Sequence, residues 1–254
     1  MLPDRAQFAI REKLILAGLF LSKFDELGLK KLGFETFTEA FNVIGYALGG
    51  KPASIKNYRD EFDPLFPNSR RGWHQRPLRS HCQKMLNLFK DVDIDSFTGT
   101  IKSFASHDEG ILSEIACKDD EEPEESAFAK RLITGLAAEH YFEAMHPSVP
   151  QFEGYAVENT TRLGCGYDFR LRDERSDEFL AIEVKGLQGR NGMLSLTPKE
   201  YETATVLSDR FFLFVVKNFR ETPYHDIYQN PVASGLQFAK KERVILQVSW
   251  LAAV

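Results

Sequence analysis

Seven residues, Arg210-Phe-Phe-Leu-Phe-Val-Val216, constrain this chain more than any other segment. After the arginine the run is continuously apolar and rich in aromatic and β-branched side chains. Such a run suits a strand buried on both faces, the environment of a sheet sandwiched between layers. The surrounding pattern supplies the partners. Residues 125–145 read as one helix, with Phe128, Leu132, Leu136, Ala137 and Phe142 spaced for a buried face. Strand-like runs follow at 151–159, 165–172 and 179–184. Thr197 then caps a helix whose first position is Pro198, and a last strand is expected at 243–250. Helix, three strands, helix and strand is an α/β order with a central mixed sheet flanked by helices.

The first half of the chain is different. Residues 6–21 and 36–48 carry apolar side chains at three- and four-residue spacing, as amphipathic helices do. Gly49-Gly50-Lys51-Pro52 ends the second of these, and Ser54 is placed to cap a short helix through 55–60. Further helical stretches cover 78–89 and 97–105. The boundary between the halves falls at Asp119-Asp120-Glu121-Glu122-Pro123-Glu124-Glu125, a polar run without apolar periodicity that reads as a linker. The expected organisation is an all-α domain over 1–117, an acidic linker over 118–125 and an α/β (α+β) domain over 126–254.

Charge sorts along the same line. Residues 1–117 carry 16 Lys and Arg against 15 Asp and Glu, while residues 118–254 carry 16 against 22. Six of those later acids belong to the linker run, so the net charge of −5 does not describe a broadly acidic surface. With 254 residues the chain is long enough for two cores. No apolar run approaches the roughly 20 residues that span a bilayer, and the first residues lack the basic region and cleavage site of a secretory leader. A cytoplasmic location without membrane contact is expected. Cys82, Cys117 and Cys165 are odd in number and far apart, which argues against a disulfide framework or a CxxC zinc site.

The chemistry concentrates in two short segments. Asp168 in Gly166-Tyr167-Asp168-Phe169 is followed fifteen residues later by Glu183 in Phe179-Leu-Ala-Ile-Glu-Val-Lys-Gly186. Paired antiparallel, the two runs bring Asp168 and Glu183 into one neighbourhood, and period-two alternation places Lys185 on the face of Glu183. A hairpin with solvated charges would show the same pattern. Yet Glu183 and Lys185 interrupt an otherwise apolar strand, and burying charges without partners is costly. Carboxylates at paired strand ends suit Mg²⁺ (or Mn²⁺), with the main-chain carbonyl of Val184 as a third oxygen ligand. Lys185 would orient a water and offset charge at a scissile phosphate. Phosphodiester cleavage follows as the leading expectation. No Gly-x-Ser-x-Gly elbow and no Walker A sequence occurs, and His140, His146 and His225 assemble no recognisable catalytic pair.

Several motifs in order now carry a resemblance. Tyr167-Asp168, Ile182-Glu183-Val184-Lys185-Gly186, Ser195-Leu196-Thr197-Pro198-Lys199-Glu200-Tyr201 and Asp209-Arg210-Phe211-Phe212-Leu213 resemble the family named after the C-terminal domain of the NO VEIN protein. The likeness spans about residues 126–232. That family implies membership of the PD-(D/E)xK nuclease superfamily, hence a restriction-endonuclease-like sheet and a setting in restriction or phage defence. It also implies a glutamate on the preceding helix, matched by Glu139 in Gly135-Leu-Ala-Ala-Glu139, that joins or supports the metal cluster. Tyr167 stands where the superfamily name has proline. Thr197 and Glu200 match a family motif as well, and read first as a capping box.

Residues 51–79 are the candidate reading head. Arg70, Arg71, Arg76 and Arg79 fall within eleven residues, interleaved with Trp73, His74 and Gln75. Arginine suits phosphate and guanine, and asparagine suits adenine. Lys56, Asn57, Arg59, Arg70, Arg71, Trp73 and Arg76 are therefore the expected DNA contacts. The opposing reading has Trp73 as a core anchor and the arginines paired with Asp60, Glu61 and Asp63. The combined expectation is a Mg²⁺-dependent endodeoxyribonuclease acting on double-stranded DNA as a homodimer, with Asp168, Glu183, Lys185 and Glu139 catalytic and further defence-system subunits as partners. The alternative is a catalytically silent DNA-binding or assembly subunit of such a system.

Overall fold

A computed structural model describes residues 8–70, 77–104, 125–173 and 178–242, with the backbone alone for 125–132. Six helices precede the acidic run among these residues: α1 (Ile10–Lys23), α2 (Asp25–Lys31), α3 (Phe37–Ala47), α4 (Pro52–Phe62), α5 (Ser80–Phe89) and α6 (Ile94–Ser103). Their starts follow local chemistry. Thr36 Oγ1 accepts the Glu39 amide at 3.1 Å to cap α3, and Asp93 Oδ1 accepts the Ser96 amide at 2.9 Å to cap α6. The start of α4 differs from expectation: Pro52 occupies its first turn after Lys51, and Ser54 lies inside the helix. Proline at that position has the right φ and no amide to leave unpaired, so it displaces the serine as the start signal. The seven-residue α2 was not anticipated, because it is too short to show a full period.

Helices α1 and α4 cross at very close range. A Cβ on Gly18 would stand 2.6 Å from Tyr58 Cβ and 2.8 Å from the Arg59 amide nitrogen, so only a glycine lets the two backbones meet there. Leu16, Leu19, Phe20, Ile55 and Phe62 bury themselves around the crossing.

The second part begins with α7 (Glu125–Met145), as the periodicity predicts, and continues into a five-stranded sheet of order β1-β2-β3-β4-β5. The strands are β1 (Ala156–Asn159), β2 (Phe169–Arg172), β3 (Phe179–Gly186), β4 (Phe211–Lys217) and β5 (Tyr224–Gln229). Neighbours pair antiparallel except β3 and β4, which are parallel and joined through α8 (Pro198–Leu207). The mixed sheet is therefore as expected. Strand limits shift: Pro150–Phe152 is a 3-10 turn, shortening β1, and Gly164 and Gly166 adopt positive φ, delaying β2 to Phe169. The expected strand at 243–250 lies outside the described residues, as do residues 118–124 of the acidic run and Cys117.

All residues from Phe211 to Val216 are buried, which accounts for the continuous apolar run. Phe212, Phe214 and Val216 join Ile182, Val184, Phe169 and Leu171 in the main core, beneath α7. Phe142 of α7 sits over this layer, its ring 4.8 Å from Phe169 and 5.0 Å from Phe214. The opposite face is covered more thinly, with Tyr167, Ala181 and Phe211 against Ala204 of α8. The same main core extends into the N-terminal helices. Helix α3 lies on α7, with the Tyr46 and Tyr141 rings 5.3 Å apart, and Asn42 donates to the carbonyls of Phe219 and Glu221 at 2.8 Å each.

The α1–α4 contact yields a stability prediction. Gly18→Ala should lower stability by about 1–3 kcal/mol through overpacking against backbone that cannot yield. Urea unfolding followed by circular dichroism measures this; an unchanged midpoint would mean that the two helices separate at little cost.

Candidate functional site

Glu183 lies in the middle of β3 with 3% of its surface exposed. Its strand neighbours on either side, Ile182 and Val184, point into the main core, so alternation turns Glu183 and Lys185 toward the α8 side. Lys185 Nζ donates to Glu183 Oε1 at 2.6 Å and to Glu200 Oε2 at 2.9 Å. Glu200 belongs to the first turn of α8. The same Oε2 accepts the Thr197 amide at 2.9 Å, while Thr197 Oγ1 accepts the Glu200 amide at 3.3 Å. The capping box read from the sequence is present, and its carboxylate also holds the lysine. Glu200 is the site residue that sequence reasoning undervalued: its capping role was sufficient explanation until β3 brought Lys185 beside it.

Asp168 precedes β2, whose first residue pairs with Ile182. Its backbone is fixed on both sides, donating its amide to Ile182 at 2.9 Å and accepting the Thr160 amide at 2.8 Å. Its side-chain Oδ2 accepts the Val184 amide at 2.9 Å. Thus Asp168, Glu183 and Lys185 come together as the spacing predicted. Glu139, on α7, approaches from the other layer and feels the charges of Asp168, Glu143 and Lys185.

Electrostatics record the crowding. Burial pushes the Asp168 carboxyl up to about 6, although the Val184 amide and Lys185 pull the other way. Glu183 is held well above the usual carboxylate range by burial and by Asp168. Glu139 is pushed up to about 8 by burial, then by Asp168 and Glu143. Lys185 stays firmly protonated because Glu183 and Glu200 outweigh its own burial. Four carboxyl groups thus share the field of one ammonium, two of them in contact with it. Burial and mutual repulsion raise the proton affinity of Asp168, Glu183 and Glu139. Among the described residues, no three His, Cys, Asp or Glu side chains form a metal-ligand group by themselves. A cation here would draw on Asp168, Glu183 and main-chain oxygen, for which the Val184 carbonyl is the sequence candidate.

The expected DNA contacts fare unevenly. Lys56 and Asn57 are exposed on α4. Arg59 and Arg70 correct the expectation of displayed cations. Arg59 is 8% exposed, donates to Asp60 at 2.9 Å and lies over the Phe37 and Phe41 rings. Arg70 spans Asp63, at 3.0 Å, and Asp25. The intervening Asp63 is buried and also accepts from Ser22 Oγ at 2.8 Å. Arg79 likewise pairs with Glu61. Buried acids need these arginines, so their guanidinium groups are spent inside the helical layer. Arg71, Trp73 and Arg76 lie outside the described residues. The three histidines are structural: His140 Nδ1 is 3.0 Å from the Tyr46 carbonyl, His146 Nδ1 2.9 Å from the Glu143 carbonyl, and His225 Nδ1 3.3 Å from the Tyr141 hydroxyl.

Comparison with known families agrees with the motifs. Residues 138–229 match the family model described as Protein NO VEIN, C-terminal. The match covers Glu139, Asp168, Glu183, Lys185 and Glu200, and falls within the span read from the sequence. No curated protein and no solved structure matches the chain. No helix among the described residues is long and apolar enough to cross a membrane.

The raised carboxyls imply a pH dependence of stability. A Glu139 carboxyl that titrates near 8 when folded but near 4.5 when unfolded keeps its proton in the native state while the unfolded chain loses it. Stability therefore falls as pH rises from about 4.5 to about 8. Thermal unfolding in EDTA should show this decline, and Glu139→Gln should flatten it. Equal slopes for the two proteins would remove Glu139 from the charge cluster.

Proposed function

We propose that this protein is a Mg²⁺-dependent nuclease that cuts double-stranded DNA, of the restriction or phage-defence kind implied by the resemblance. The observation that carries the reading is the Glu183–Lys185–Glu200 linkage, rooted in a buried Glu183, with Asp168 alongside it. Burying Asp168 and Glu183 near one another costs stability, so their place in one site speaks for chemistry. The donors fit Mg²⁺, or Mn²⁺ in its place: hard oxygen ligands from Asp168, Glu183 and the Val184 carbonyl. Bound there, the cation would supply an activated water and offset phosphoryl charge. Asp168 and Glu183 would hold it, and Glu139 would set the charge behind Asp168. Lys185, protonated and aimed by Glu183 and Glu200, would stabilise the negative charge that grows on the phosphate.

Cleavage of both strands calls for two such sites, hence a homodimer as the acting form. Defence-system subunits as further partners and a cytoplasmic setting complete the proposal. For recognition, Lys56 and Asn57 remain surface candidates, together with Arg71, Trp73 and Arg76 further along the sequence.

A second reading has a specific observation behind it. Both Glu183 and Glu200 are already satisfied by Lys185, so the cluster is also a complete internal ion network. A silent DNA-binding or assembly subunit would keep that network for structure alone. Incubation of supercoiled plasmid with the full chain and Mg²⁺ separates the two. The nuclease should nick or linearise the plasmid, and Lys185→Ala should cut at least about a hundredfold more slowly. Cleavage by both proteins alike, or by neither, would sink the catalytic reading.

A further inference from the structure

A cleft of about 340 Å³ opens one residue beyond Lys185, lined by residues 186–189, Asn191, Gly192 and Arg220. Its size lies at the lower end of pockets that hold small organic ligands, which run from about 300 to 1,000 Å³. The segment Gly186-Leu-Gln-Gly-Arg-Asn-Gly192 connects the end of β3 to the approach of α8, so the wall of the cleft begins at the residue after Lys185. Nothing in the cluster's own chemistry uses it.

Three observations give the cleft an anionic ligand. The first is its backbone. Gln188 and Gly189 spend their carbonyls on the turn after β4, accepting the Arg220 amide at 3.1 Å and the Asn218 amide at 2.9 Å. The amides of Gln188, Gly189, Asn191 and Gly192 donate to no group among the described residues. Successive free amides at a concave surface are suited to phosphate oxygens.

The second is Arg220. Its guanidinium meets Glu35 at 2.8 Å, but both side chains are about half exposed, at 46% and 63%. Such a pair contributes little and exchanges readily. A phosphate offers the arginine a bidentate partner that Glu35 does not monopolise. This sets Arg220 apart from Arg59 and Arg70, whose acids are buried.

The third is Gly189. Its φ is not in the left-handed region, and a Cβ there would meet nothing nearer than the Asn191 carbonyl at 3.6 Å. Neither strain nor an internal contact calls for glycine. A bare wall at this position admits a ligand to the backbone at close range.

We propose that this cleft is a nucleotide subsite, taking one nucleotide and its phosphate from the DNA strand adjacent to the bond cut at the Lys185 cluster. The proposal rests on the nuclease reading and extends it to how the strand is held. Arg220 grips the phosphate, the amides of the 188–192 segment bind its remaining oxygens, and Gly189 gives the sugar or base clearance.

The test is binding of a fluorescently labelled DNA duplex in Ca²⁺, read by anisotropy, beside plasmid cleavage in Mg²⁺. Arg220→Ala removes the cation and Gly189→Leu fills the wall. Each should raise the dissociation constant about tenfold, the loss expected for a hydrogen bond to a charged group. Thermal midpoints should stay within about 2 °C of the parent, since neither residue supports the core. Parent-like binding by both variants, with parental cleavage intact, overturns the subsite and leaves the nuclease standing. A large fall in midpoint that accompanies the weaker binding also overturns it, because it assigns the segment a structural role. Absence of both binding and cleavage in the parent overturns the subsite and the nuclease together.

Discussion

Lys185 is the cation on which the rest of the sheet's chemistry depends. It rises from a strand that is otherwise built for burial, and it neutralises a glutamate that the core would not tolerate alone. Removing one partner of such a pair leaves an uncompensated buried charge, a cost of about 3–5 kcal/mol in comparable cases. The parallel pairing of β3 with β4 makes the arrangement obligatory. Glu183 sits opposite Leu213 and Lys185 opposite Val215, both inside the sheet, so neither charge can swing out past an edge. Only the α8 side remains, and there Glu200 waits in the first helical turn.

That second partner shows how a local stop signal becomes part of a site. A capping glutamate normally has water on its outer side. Here the β3–α8–β4 crossover lays the helix start over the end of β3, and the capping oxygen accepts from a lysine two layers away in sequence logic but adjacent in space. Helix α8 is thereby tied to the strand it crosses, and the lysine loses the freedom of its long stem. A lysine held by two carboxylates has a fixed position, the condition under which the proposed reaction would draw most on its charge.

Much of this was legible in the chain itself. The run at Phe211–Val216 required a doubly covered sheet, and the two charges inside Phe179–Gly186 required partners. Those are arguments from burial, and burial is written in residue type. What escaped was what depends on pairing at a distance. Tyr224–Gln229 lacks clean alternation because it is half-buried along most of its length, so β5 gave no period to read. Pro52 displaced Ser54 as the start of α4 through a competition that spacing alone does not rank. Arg59 and Arg70 looked like displayed cations because the acids that claim them, Asp60, Asp63 and Asp25, lie on several elements, and only the folded layer brings them into one network.

The same contrast explains how the two parts of the molecule divide their labour. In the helical layer, Arg59, Arg70 and Arg79 are taken up by Asp60, Asp63, Asp25 and Glu61. In the sheet, four carboxylates share one lysine, and charge is left in deficit. The core joining α3 to α7 makes these layers neighbours, so the difference is not one of isolation. Around Lys185 the excess is met by the raised proton affinity of Asp168, Glu139 and Glu183, and under the proposed function a hard cation with a phosphate behind it would take the place of those protons.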